Sequence, residues 1–187
     1  KNPGTTMMLR TITNYNTGMI WIGGGYGSEG VIVKSTNTGD SWETMQTFER
    51  PIEKIQFIDA STGFASSDSR VYKSTNGGAN WVDINLPTSG YFLTFYMANA
   101  NIGYASNWDN TYKTLDGGAT WFEQNTVLPN TSFRDIDFAP GSTSIGWMCG
   151  SDGAIVYTNN SGGGAIGIEP ISGNVPEKYS LSQNYPN

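Results

Sequence analysis

Lys113-Thr114-Leu115-Asp116-Gly117-Gly118-Ala119-Thr120-Trp121 has a near copy at Lys73-Ser74-Thr75-Asn76-Gly77-Gly78-Ala79-Asn80-Trp81 and an earlier one at Lys34-Ser35-Thr36-Asn37-Thr38-Gly39-Asp40-Ser41-Trp42. A worn copy follows at Tyr157-Thr158-Asn159-Asn160-Ser161-Gly162-Gly163-Gly164-Ala165, without the Trp. Trp42 and Trp81 lie 39 residues apart, and Trp81 and Trp121 lie 40 apart. Self-similarity at this period is the mark of a propeller or an array of small sheets, and it outranks any local reading.

Each copy has the pattern Ser/Thr-x-Asp/Asn-x-Gly-x-x-Trp. The Asp or Asn side chain accepts backbone N–H groups a few residues on and closes a turn. The glycines Gly39, Gly78, Gly118 and Gly162 supply a positive φ that a β-carbon resists. Trp42, Trp81 and Trp121 open the next strand as flat apolar slabs, each with an indole N–H that needs an acceptor. An apolar run precedes every box: Val31-Ile32-Val33, Val71-Tyr72, Thr111-Tyr112 and Ile155-Val156-Tyr157. The box therefore joins two antiparallel strands, and Trp42, Trp81 and Trp121 are expected to be buried between units.

Four units follow one plan: an apolar strand, a short strand with Gly and an aromatic, a strand entering the box and a strand leaving it. Unit two shows it as Lys54–Ile58, Gly63–Ser66, Arg70–Lys73 and Trp81–Ile84. Alternation such as Ile55/Phe57 and Ile136/Phe138 has the period of two that marks a strand. The expected fold is all-β: a β-propeller of four-stranded antiparallel blades, four of them visible, about 5–48, 52–87, 92–127 and 132–169. Radial repetition of such sheets protects their edges. Four blades are near the lower limit for closure, so the four are expected to be part of a larger propeller, with open blade edges that permit self-association.

The boxes carry a resemblance to the Asp-box, or BNR, repeat of sialidases, sortilins, xyloglucanases and photosystem II assembly-factor-like propellers. It covers three good copies and the worn one, across roughly residues 5 to 169. What it implies is architecture, with Asn37, Gly39, Trp42, Asn76, Gly78, Trp81, Asp116, Gly118, Trp121, Asn160 and Gly162 as folding elements of the blade periphery. Calcium loops gather several carboxylates; the box at Asp116 has one and the box at Asn76 has none, so no metal is expected, and no cofactor.

Composition narrows the function. The net charge is −6 and the pI about 4.5, the reverse of a nucleic-acid footprint. No apolar run approaches the roughly 20 residues of a membrane helix. With no histidine, Ser-His-Asp and Cys-His catalysis and histidine metal sites are excluded. Cys149 is the one cysteine; with no base beside it in sequence it is expected to be a buried, inert thiol.

Beyond Ile168 the character changes. Residues 170–187 begin as a Pro/Gly/Ser linker and continue as Lys178-Tyr179-Ser180-Leu181-Ser182-Gln183-Asn184-Tyr185-Pro186-Asn187. That run resembles the opening of the C-terminal sorting domain of Bacteroidetes-type secreted proteins. The resemblance implies a type IX secretion cargo, located outside the cell or on the outer surface of a bacterium.

In a propeller the loops between strands two and three, and between strand four and the next strand one, share one face. The boxes occupy the other. The first face carries Tyr26, Asp68, Tyr91, Trp108, Asp109, Arg134 and Asp152, with Glu29, Glu49 and Arg50 nearby. Aromatics mixed with carboxylates and Arg suit peptide or sugar recognition. The expected function is a secreted or cell-surface non-catalytic module that binds a protein or polysaccharide, without nucleic acid or membrane insertion. The alternative is a fragment of a sialidase- or xyloglucanase-like glycoside hydrolase. A sialidase needs a clustered Arg triad and an activated Tyr. Arg10, Arg50, Arg70 and Arg134 fall in different units, and the Arg-Ile-Pro signature of that family is missing.

Overall fold

The computed structural model describes residues 3–68, 70–87, 91–92, 94–108, 110–124, 128, 131–159 and 169–170. They form four antiparallel four-stranded sheets, and no α-helix. The first sheet is β1 (Leu9–Asn14), β2 (Ile20–Tyr26), β3 (Glu29–Ser35) and β4 (Glu43–Phe48). The second is β5 (Ile52–Phe57), β6 (Gly63–Ser67), β7 (Arg70–Ser74) and β8 (Val82–Asp83). The third is β9 (Thr94–Met97), β10 (Gly103–Ser106), β11 (Thr111–Thr114) and β12 (Phe122–Gln124). The fourth is β13 (Phe133–Phe138), β14 (Gly146–Gly150), β15 (Ile155–Thr158) and β16 (Glu169–Pro170). Every sheet keeps its strands in chain order. The first strands stack on one another, β1 on β5, β5 on β9 and β9 on β13, and so line the axis of a β-propeller.

The turn between the third and fourth strands is the same small machine in three sheets. The hydroxyl of Ser35, Ser74 or Thr114 accepts the N–H of Gly39, Gly78 or Gly118 at 2.8–2.9 Å. That hydroxyl donates in turn to the side chain of Asn37, Asn76 or Asp116. The same side-chain oxygen accepts the N–H of Ser41, Asn80 or Thr120, four residues on. Gly39, Gly78 and Gly118 have φ of 83°, 89° and 90°, which accounts for the residue type at this position. The tryptophan stands one residue before its strand, and the indoles of Trp42 and Trp81 donate to the carbonyls of Gly39 and Gly78.

Three junctions hold the sheets together. Trp21 and Ile32 of the first sheet pack on Ile52, Ile55, Phe57 and Trp81 of the second. Phe64 and Val71 of the second pack on Phe92, Phe95, Met97 and Trp121 of the third. Tyr104 of the third packs on Phe133, Ile136 and Phe138 of the fourth. Fully burying each such side chain stabilises by roughly 1.5–3 kcal/mol. Lysines lock two junctions: Lys34 donates to the Gly77 carbonyl and Lys73 to the Gly117 carbonyl of the following box.

Two expectations need correction. Trp81 and Trp121 are buried, but Trp42 is only half-buried, because no sheet packs on the outer side of β1–β4 among the described residues. Cys149 is exposed, because it lies on the opposite, equally uncovered face of the fourth sheet. The weak last strand expected near residues 165–168, and the linker and sorting-domain resemblance at 171–187, lie outside the described residues.

Candidate functional site

The registers place the start of each axial strand beside the turn that joins the second and third strands. Leu9 pairs with Gly24, Ile52 with Ser67 and Phe133 with Gly150. This rim lies opposite the box turns. Each of these axial strands opens with an irregularity: between Leu9 and Thr11, Ile52 and Lys54, and Phe133 and Asp135. The cause is legible in residue type. Ile52 and Ile55, like Phe133 and Ile136, are both buried although three residues apart, and a strand of period two satisfies that only by inserting a bulge. The inserted residues are Arg10, Glu53 and Arg134, so the bulges bring three charged side chains to the axial end of this rim.

Around them the rim residues form three groups. Arg10 pairs with Glu53 at 2.5 Å, and the Tyr91 hydroxyl donates to the same carboxylate at 3.2 Å. Lys54 reaches across the axial strands, donating to Thr94 at 3.1 Å and pairing with Asp135 at 2.5 Å. The Arg134 guanidinium lies over the Trp108 ring, 4.8 Å from its centre, while Ser132 donates to the Trp108 carbonyl. Trp108 is half exposed, and Arg134 makes no ion pair among the described residues. A cation over an aromatic face is worth about 0.5–1 kcal/mol at an exposed site, so the stack orders both side chains while leaving them accessible.

Of the residues singled out from sequence, Trp108 and Arg134 come together, and Tyr91 joins a cluster with Arg10 and Glu53. Asp68 pairs with Arg50 at 3.5 Å, and its carbonyl accepts the Phe92 N–H. Tyr26 is exposed at the end of β2, where it pairs with Glu29. Asp152 sits in a single 3-10 turn, Ser151–Gly153, with φ 56°. That turn is tied to the axial strand by Ser151 N–H to the Ser132 carbonyl. Asp109 of the rim and Asn160 and Gly162 of the worn box lie outside the described residues. Arg10, Glu53, Lys54 and Asp135 were missed. The available signal was the apolar-x-x-apolar spacing at the start of each unit, which breaks the strand period and marks a bulge.

The electrostatics bear on the chemistry open to this rim. Burial, and then the Glu53 carboxylate, push the Tyr91 phenol above its ordinary range. It stays protonated, the opposite of an activated nucleophile. The arginines are dispersed: Arg10 is bound to Glu53, Arg50 to Asp68, and Arg70 to Asp83 on the outer hairpin. No group of three or more metal-ligating His, Cys, Asp or Glu side chains occurs among the described residues. No helix among them is long and apolar enough to cross a membrane.

These features define the class as a β-propeller. Solved structures agree. The chain is similar to YCF48 from Cyanidioschyzon merolae at 16% identity and TM-score 0.66, over 81% of this chain and 51% of that one. It is similar to the GH74 xyloglucanase from Xanthomonas campestris at 12% identity and TM-score 0.70, over 92% of this chain and 32% of that one. A structure of YCF48 bound to D1 peptide matches at 14% identity and TM-score 0.56, over 87% of this chain and 70% of that one. The chain thus spans about half the length of the YCF48 chain and a third of the xyloglucanase. At these identities the likeness is one of fold. No protein-family model matches the sequence, and no curated protein does.

Proposed function

We propose that this chain is a non-catalytic binding module that captures a protein segment or glycan on the rim opposite its boxes. The observation that carries the reading is the Arg134–Trp108 stack. It is a guanidinium engaged by no carboxylate among the described residues, held over a half-exposed indole. A carboxylate or amide of a peptide satisfies the guanidinium, and the indole offers a flat apolar face to a side chain or sugar ring. The peptide-bound YCF48 structure gives a precedent for peptide capture on a chain of similar fold. The boxes have the chemistry of the Asp-box repeat, and the tail motif supports export by a type IX route to the cell surface.

The test is a peptide and glycan array probed with the parent chain, with Trp108→Ala and with Arg134→Gln. Binding by the parent that both substitutions abolish supports the reading. Binding that survives both, or is lost only on changing the box turns, ends it. The second reading, a glycoside hydrolase fragment, is favoured by the xyloglucanase likeness and by the rim carboxylates Glu53 and Asp135. Release of reducing ends from xyloglucan, lost on Glu53→Gln or Asp135→Asn, would establish it in place of the first.

A further inference from the structure

The three junctions share a rule. Each sheet has a leading face, centred on an aromatic of its second strand, and a trailing face built from its axial strand and box tryptophan. Trp21, Phe64 and Tyr104 are the leading aromatics, and each is buried by the trailing face of the next sheet. Polar contacts follow the same rule. Thr11 accepts the Ile55 N–H of the next axial strand at 3.2 Å. Gln56 holds both backbone groups of Met97 at 2.8 and 2.9 Å. The Trp21 indole donates to the Gly77 carbonyl of the next box at 3.0 Å.

At the two ends of the row the rule is left incomplete. Trp147 occupies the register position of Trp21: Trp21 stands between Thr13 and Lys34, and Trp147 between Asp137 and Tyr157. Yet Trp147 is 41% exposed where Trp21 is 0%. Ile12 occupies the position of Ile55 and is 67% exposed where Ile55 is 4%. Among the described residues β13 and β1 make no contact of the extent seen between the other axial neighbours. One face of each type is therefore uncovered, and each is the kind of surface that the other type buries three times over within the chain.

We propose that the leading face of the fourth sheet docks on the trailing face of the first sheet of a second copy, and reciprocally, closing a ring of two chains head to tail. A two-fold operation closes this heterologous contact, and eight sheets lie within the roughly 4–8 blades of propellers. Closure of one chain on itself would require β13 to meet β1, a pair without such contact among the described residues. Specific groups fit the new junction. Trp147 repeats the indole donor of Trp21, and its acceptor is the Thr38 carbonyl, the counterpart of Gly77. Asp135 takes the place of Thr11 and accepts the Ile12 N–H. Asp137 takes the place of Gln56 and accepts the Asn14 N–H. Exposed apolar patches of this kind mark interaction sites in soluble proteins.

A covalent trap distinguishes the occupants. Cys149 stands at the position of Gly23, since both pair with the residue after the bulge, Asp135 and Thr11. A β-carbon on Gly23 would fall 2.6 Å from the Ile52 side chain. The residue that faces Cys149 across the new junction is therefore Leu9, the counterpart of Ile52. The parent chain should run in light scattering at twice its chain mass, and Ile12→Asp and Trp147→Asp should each halve that mass with an all-β circular dichroism spectrum retained. Leu9→Cys under mild oxidation should give a disulfide-linked two-chain species, and the parent should give none. A single-chain mass for the parent overturns the proposal. So does an internal disulfide in Leu9→Cys, which means closure within one chain, or a Cys149–Cys149 link in the parent, which means like faces pair. Should Leu9→Cys not fold, the two Asp variants, each with one intact face, should form a mixed pair when combined; failure to do so counts against the proposal.

Discussion

The two rims of the propeller are built from the same strands and do opposite work. On the box rim, three turns repeat one hydrogen-bond pattern, and their polar groups are engaged by their own backbone or by the neighbouring box. On the far rim no two sheets present the same side chains, and the groups there are tied loosely to one another across sheet boundaries. Repetition belongs to the rim that folds the molecule, and variety to the rim proposed to bind. The difference predicts that changes on the box rim register in stability, and changes on the far rim in binding.

The largest effect is expected at Trp81. It is buried between the first and second sheets, so Trp81→Ala should cost about 3–5 kcal/mol in urea unfolding. Trp42→Ala, at the half-buried counterpart, should cost clearly less. Equal midpoints for the two would erase the distinction between covered and uncovered sheets. Next is the hydroxyl at the centre of the box. Ser74 is buried, accepts the Gly78 N–H and donates to Asn76. Ser74→Ala leaves that buried N–H without its acceptor and should cost about 1–3 kcal/mol. An unchanged unfolding midpoint would mean that water replaces it.

A change on the same rim should act in the other direction. Thr38 has φ 58°, where the two equivalent positions are Gly77 and Gly117 at 70° and 68°. Left-handed backbone costs a residue with a β-carbon about 1–2 kcal/mol, and glycine offsets part of that gain through its freer unfolded chain. Thr38→Gly should therefore raise stability by up to about 1 kcal/mol, read as a higher thermal midpoint. The Thr38 hydroxyl donates to the Asn37 carbonyl at 2.6 Å; a loss of stability would show that this bond outweighs the backbone strain.

Acid should reach the box rim through Asp116. The Thr120 hydroxyl and N–H, and then Thr114, hold its carboxyl down at about 2. A carboxyl depressed on folding adds stability that is complete above its unfolded value near 4 and is lost as pH falls toward 2. Asp116→Asn, the residue found at positions 37 and 76, keeps the acceptor and removes the proton. Between pH 5 and 2 the variant should lose less stability than the parent; parallel losses would rule out Asp116 as a contributor. The smallest effects on folding belong to the far rim. Trp108→Ala and Arg134→Gln should each change stability by no more than about 1 kcal/mol, the worth of the stack, while weakening ligand binding by about 2 kcal/mol, roughly thirtyfold. A large unfolding shift in either would make the stack a structural clamp.

Much of the fold could be read in the residues themselves. The box spacing announced four four-stranded sheets, because a turn that needs Ser/Thr, Asp/Asn and a positive-φ glycine at fixed offsets does not recur at a constant period by chance. The same spacing separated the repetitive rim from the irregular one. Tertiary structure alone decided which side chains meet. That Arg134 lies on Trp108, or that Lys54 spans to Asp135, depends on bulges that rotate single residues out of the strand period and on the curvature that brings distant axial strands together. It also decided the fate of Trp42, Trp147, Ile12 and Cys149. Their local sequence is that of core residues, and burial is a property of the neighbouring sheet: where none packs among the described residues, the same apolar pattern becomes surface.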